Sequence, residues 1–135
     1  MIGVIYWSGT GNTQRMAEAI AEGAKVKATV VSDITANAAA GFDKLMLGCP
    51  AMGAEVLEEG EFEPFFIELE GQLSGKTVAL FGSYGWGDGE WMREWEKRLQ
   101  ANGANLFEQG LMVNEAPDEA TLGECRAFGQ RFAAL

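Results

Sequence analysis

Apolar residues run almost unbroken through Ile2–Trp7, and shorter apolar bursts recur at Val26–Ser32, Lys44–Pro50 and Thr77–Gly82. Runs of this length without polar alternation predict strands buried on both faces, as in a parallel sheet. Between them the spacing changes to three and four. Met16, Ala17, Ile20 and Ala21 mark a helix over 13–23, with Gly23 as its stop. Phe65, Phe66 and Leu69 mark a second over 64–72, with Pro64 in its first turn. Trp91, Met92, Trp95 and Leu99 mark a third, and their helical spacing assigns both tryptophans to the core. Asp118 opens a last helix with Leu122, Cys125, Phe128, Gly129 and Phe132 inward. A less regular strand is expected over 106–113, with Gly110 marking a bulge. Segment 33–43 carries little pattern and reads as a connection containing at most a helical turn.

Strand and helix alternate about five times. That order predicts an α/β fold, a parallel five-stranded sheet with helices on both faces. Ligands of such folds sit beyond the C-terminal strand ends, near the switch in strand order. Three segments reach that edge: Ser8–Thr13, Pro50–Glu59 and Ser83–Glu90. Each is rich in glycine or in unusual chemistry.

The chain of 135 residues fits one domain. "MIGVIYW" lacks the basic flank and cleavage site of a signal peptide, and no run is long enough to cross a bilayer, so a cytoplasmic location is expected. Cys49 and Cys125 are far apart and form no CxxC pair. The absence of histidine excludes Ser-His-Asp triads, Cys-His dyads and His-ligated zinc. No metal site is expected. The net charge of −10 argues against a nucleic-acid partner, which would need a basic footprint. Between Ala54 and Glu90 nine acids face one base, Lys76. This is either a solvated face or a surface that steers basic proteins.

The stretch "WSGTGNT", Trp7–Thr13, links the first strand to the first helix. Without a lysine it is no Walker A loop, and without a third glycine it is no dinucleotide fingerprint. Backbone N–H groups, three hydroxyls, the Asn12 amide and a helix N-terminus can still hold a phosphate dianion. With no cation to manage developing charge, the phosphate is a handle and not a reacting group.

"SGTGNT" after the first strand, "CPAMGAE" after the third, "FGSYGWGDGEW" after the fourth and "VNEAPDEA" near the end together resemble the flavodoxins, over essentially the whole chain. The short, uninterrupted form is similar to flavodoxins of anaerobic, clostridial-type bacteria. The resemblance implies a doubly wound sheet of order 2-1-3-4-5 with FMN at the switch point, a topology for which flavodoxin is itself the usual example. It implies that Ser8, Gly9, Thr10, Gly11, Asn12 and Thr13 hold the FMN phosphate. Trp86 would stack on the outer face of the ring and Met52 would pack on the inner face. Gly53 would supply a peptide that turns over when flavin N5 gains a proton, and Glu55 would accept from N3–H. Ala54 stands where relatives often carry a polar side chain. Ala51, Ser83, Tyr84, Gly85, Gly87 and Asn114 complete the expected contacts.

The resemblance further implies an electron-transfer protein and not an enzyme. It would be a low-potential one-electron carrier cycling between semiquinone and hydroquinone, monomeric, docking transiently on basic patches of other redox proteins. A hydrogen bond made in one redox state only, at roughly 1–1.5 kcal/mol, moves a one-electron potential by roughly 40–65 mV. Acids around the ring would lower the potential of the second couple. The competing readings are an FMN-dependent quinone or azo reductase, a phosphoacceptor domain and a cofactor-free scaffold. Trp86 over the ring leaves little room for a reductase substrate, and Trp7-Ser8 and Cys49-Pro50 stand where a phosphoacceptor needs carboxylates.

Overall fold

The computed structural model describes residues 1–135. Its elements are β1 (Ile2–Tyr6), α1 (Asn12–Ala24), β2 (Ala28–Val30), α2 (Ala36–Ala39), β3 (Lys44–Gly48), α3 (Phe62–Glu70), β4 (Thr77–Tyr84), α4 (Glu90–Ala101), β5 (Asn105–Leu106), β6 (Leu111–Asn114) and α5 (Glu119–Ala133). All strand pairs are parallel, in the order β2-β1-β3-β4-β5, and β6 also pairs with β4. The switch in order falls between β1 and β3, which are neighbours but not consecutive.

Successive strand residues face opposite layers. Val4, Tyr6, Met46, Ala79 and Phe81 pack with α1 and α5. Ile5, Leu45, Leu47, Val78 and Leu80 pack with α3 and α4. Trp91 and Trp95 are each 1% exposed, inside that second layer as their spacing predicts.

Three local expectations are corrected. The strand expected over 106–113 is two short segments: β5 pairs with the first residues of β4 and β6 with the last. The chain leaves the sheet between them because Glu108 is left-handed (φ 53°) and Gly110 is pressed onto α4. A Cβ at Gly110 would lie 2.2 Å from Met92 Sδ, and the Gly110 N–H donates to Glu96 at 2.6 Å. The second strand is also shorter than 26–32, ending in a 3₁₀ turn over Val31–Asp33.

Gly23 does not stop α1. Lys25 does, in the left-handed conformation (φ 61°), with the Val26 N–H returning to the Ala21 carbonyl at 2.9 Å. Gly23 lies inside the helix and, with Gly129, lets α1 and α5 meet backbone to backbone. A Cβ at Gly23 would sit 2.0 Å from the Arg126 carbonyl oxygen, and one at Gly129 would sit 2.1 Å from that of Ile20.

The acidic run is used inside the fold more than its pattern suggested. The Glu58 carboxylate accepts from the N–H groups of Gly60, Glu61 and Phe62 at 2.7, 2.8 and 2.8 Å, closing the N-terminus of α3. Burial pushes its pKa up, but the three donors outweigh this and hold it below the usual carboxylate value. Glu63 and Glu70 share Arg98 of α4 in a fork geometry, and Arg98 also lies over the Phe66 ring. Arg93 bonds both the backbone and the carboxylate of Asp88 at 3.0 Å.

Candidate cofactor site

The C-terminal ends of β1, β3, β4 and β6 surround a cavity of about 230 Å³. Its wall contains Gly9, Thr10, Asn12, Ala51, Met52, Ser83, Tyr84 and Gly85, all expected from sequence. Three segments distant in the chain therefore meet, at the switch point of the sheet.

The first loop folds on its own hydroxyls. Gly11 N–H donates to Ser8 Oγ at 3.1 Å and Asn12 N–H to Thr10 Oγ1 at 3.4 Å. Gly11 caps α1 at φ 96°, a torsion that favours glycine, and an added Cβ there would meet nothing within 4 Å. Arg15 faces solvent, so no cation enters the loop. Thr13 ties the first loop to the end of β4. It is fully buried, and its Oγ1 lies 2.9 Å from Ser83 Oγ and accepts from the Ser83 N–H at 3.3 Å.

The second loop is a tight turn. Met52 and Val56 exchange two backbone hydrogen bonds, at 2.9 and 3.0 Å. Gly53 (φ 47°) and Glu55 (φ 55°) are both left-handed, and no atom would obstruct a Cβ at Gly53. Glycine at 53 therefore answers a torsional requirement and not a steric one. The Glu55 carboxylate reaches across to the third loop, accepting from Gly89 N–H at 3.3 Å and filling the space beside Gly87. Gly53, Ala54, Glu55 and Gly87 thus form the rim next to the cavity and not its wall.

In the third loop Trp86 is 67% exposed, an unusual state for the largest apolar side chain. Behind it the chain is packed and hydrogen-bonded: Tyr84 packs on Trp91 at 5.7 Å, and the Trp91 indole donates to the Cys49 carbonyl at 3.0 Å.

Trp7, Pro50 and Glu115 complete the wall; each lies in a stretch the sequence singled out, but none was expected as a contact. Trp7 packs on Gly9, where a Cβ would come within 2.9 Å of the indole, and its Nε1 donates to Glu61 at 3.1 Å. Glu115 is left-handed (φ 60°) with its N–H on the Tyr84 carbonyl at 2.7 Å, which aligns it with the wall. The expected neighbour, Asn114, is turned to the Tyr84 carbonyl at 3.5 Å.

The family model described as Flavodoxin matches residues 4–129. The chain belongs to the flavodoxin family. It is 51% identical to a flavodoxin of Clostridium beijerinckii, over 98% of this chain and 99% of that one. It is 46% identical to the flavodoxin of Megasphaera elsdenii over 98% of both chains. A solution structure of the two-electron reduced Megasphaera elsdenii flavodoxin superposes with a TM-score of 0.89, at 44% identity and full coverage of both chains. As a flavodoxin the chain is an FMN-binding electron carrier and not an enzyme, and such carriers pass electrons to other redox proteins. The residues present fit FMN. A loop of neutral donors at a helix N-terminus suits a phosphate handle, and an exposed indole beside an apolar slot suits a flat ring. No helix is long and apolar enough to cross a membrane.

Proposed function

We propose that this chain is a single FMN-binding domain and works as a low-potential one-electron carrier in the cytoplasm. Bound FMN supplies the one-electron chemistry. The protein's part is to fix the phosphate, cover the ring and set the charge around it. Gly9, Thr10, Asn12 and the N–H groups opening α1 hold the phosphate. Met52 and Trp86 cover the two ring faces, and Glu55 receives a ring N–H in exchange for its bond to Gly89.

One observation carries the low potential: the cavity wall contains a carboxylate, Glu115, and no lysine or arginine. Negative charge added to the ring is therefore opposed and not neutralised. The acid of the third loop, Asp88, is partly offset by Arg93, which sequence order alone did not bring to that loop. A redox titration of the FMN-bound chain followed by absorbance tests the reading. Two well-separated one-electron steps, the second well below that of free FMN, are expected. A single two-electron step near free FMN would overturn it.

The partners we infer are redox proteins with basic patches, meeting a monomer of this chain at the exposed Trp86 edge. Their association should weaken as salt rises. Stopped-flow electron transfer to a basic acceptor such as cytochrome c, at two ionic strengths, measures this; a rate that rises with salt would refute it.

A further inference from the structure

A second cavity, of about 160 Å³, opens between α3, α4 and the second loop, and it shares no lining residue with the cofactor cavity. Its inner wall is apolar. Trp91 and Trp95 are each 1% exposed there, with Leu57 buried beside them. Its outer side carries Glu55, Glu63 and Glu94, and the exposed Val56 stands at the opening.

The charge of this lining does not balance. Arg98 is its one base, and it is already engaged with Glu63 and with Glu70, which lies outside the cavity, at 2.8 Å each. Glu94 meets only Lys97, at 3.4 Å on exposed surface, a pairing of little strength. Glu55 accepts from the Gly89 N–H, a bond that leaves its charge in place. The apolar wall carries an unmet donor as well. The Trp91 indole N–H reaches the Cys49 carbonyl, but the Trp95 indole nitrogen is buried with no hydrogen-bond partner, a costly state.

We propose that this cavity is a socket for one lysine side chain projecting from a redox partner. The four-carbon stem lies along Val56, Leu57 and the two indoles, and the three ammonium hydrogens match the three carboxylates. Hydration water carried in by the ammonium supplies an acceptor for the Trp95 N–H, since one water oxygen accepts from both. The carboxylates turn away an anion, and a net charge of −10 disfavours a second copy of this chain as the occupant. The proposal rests on the electron-carrier reading and gives the partner a defined anchor. Glu55 belongs to the loop that borders the cofactor cavity, so a partner held here is held beside the ring.

The probe is n-butylammonium chloride, the lysine side chain without its backbone, titrated into the FMN-loaded, ¹⁵N-labelled chain. Uncharged n-butanol is the control, with sodium chloride added to equal ionic strength. The Trp95 indole N–H signal should shift and saturate with n-butylammonium, while those of Trp7 and Trp86 stay in place. Glu94→Gln should weaken this binding about threefold, the scale of one exposed ion pair. Glu22→Gln, the same change of charge on the exposed side of α1, should leave it unaltered. Stopped-flow electron transfer to cytochrome c should place the two variants in the same order. An unmoved Trp95 signal, or n-butanol bound as well as the cation, would overturn the proposal. So would equal losses in the two variants, which would show diffuse attraction and no socket. Flavin absorbance of the same samples reports separately: a chain that takes up no FMN yet shows the Trp95 shift refutes the carrier reading and leaves the cation site standing.

Discussion

Glu58→Gln is the sharpest test of how the acidic segment works. The carboxylate holds three backbone N–H groups that would otherwise be the open end of α3. Glutamine keeps the length and one acceptor oxygen, but its NH₂ faces one of the donors and its charge is gone. A charge-assisted hydrogen bond contributes about 1.5–3 kcal/mol and a neutral one about 0.5–1.5 kcal/mol. The site is only half-buried, so solvent screening reduces the difference. The expected loss is about 1–2 kcal/mol at neutral pH, read as a lower urea midpoint with unchanged slope.

The pH dependence fixes the cause. The folded pKa of Glu58 lies below its ordinary value of 4.5. A depressed carboxylate adds stability that is present above the ordinary value and disappears as pH falls through the folded value. The gap between wild type and Glu58→Gln should therefore be full at pH 7 and shrink steadily as pH falls below about 4.5. Urea unfolding at pH 7 and in acid measures both. A gap under about 0.5 kcal/mol at pH 7 would contradict the charge-assisted capping magnitudes. A gap that stays constant into acid would show that the ionised form is not what matters.

Other substitutions separate stability from cofactor binding. Trp86→Ala should weaken FMN binding by about tenfold, the scale of a lost aromatic stack, and leave urea unfolding of the apoprotein unchanged because the side chain is exposed. Gly129→Ala should cost about 1–3 kcal/mol, since the new Cβ must displace the Ile20 carbonyl, and far-UV melting would reveal it. Arg98→Met should cost about 2 kcal/mol by leaving Glu63 and Glu70 adjacent and unpaired, and Glu63→Gln in the same chain should recover part of the loss.

What the sequence made legible follows from where each signal arises. The first, third and fourth strands are buried on both faces, so their apolar runs are unbroken and easily read. The helix periods of α1, α4 and α5 are clear because each of these helices buries one face and exposes the other. The break between β5 and β6 is not local: it depends on Gly110 meeting Met92 of the preceding helix. Gly23 looked like a stop because glycine usually ends helices, and only the approach of Arg126 shows why it lies inside one. Thr13 and Ser83 are 70 positions apart, and no one-dimensional pattern pairs two hydroxyls at that distance. Glu115 reaches the cavity wall through a left-handed backbone just past β6, a torsion that no apolar pattern marks.

The acidic segment shows how composition and architecture diverge. As a run, its charges form one surface available to steer a partner. In the fold they divide by function. Glu58 closes a helix, Glu61 fixes Trp7 against the phosphate loop, Glu63 and Glu70 join α3 to α4 through Arg98, and Glu55 bridges the second and third loops. Hydrogen bonds to backbone and indole groups leave a carboxylate charged, so these bonds organise the site without neutralising it. Only Arg93 and Arg98 remove charge by pairing. Around the proposed site, Glu55 and Glu61 supply negative charge through the same carboxylates that hold the loops in place. A mutation that removes one of these acids should change structure and potential together. Glu115 is the exception: it lies on the cavity wall and its side chain makes no hydrogen bond. It is the position where the charge can be altered while the scaffold is left intact.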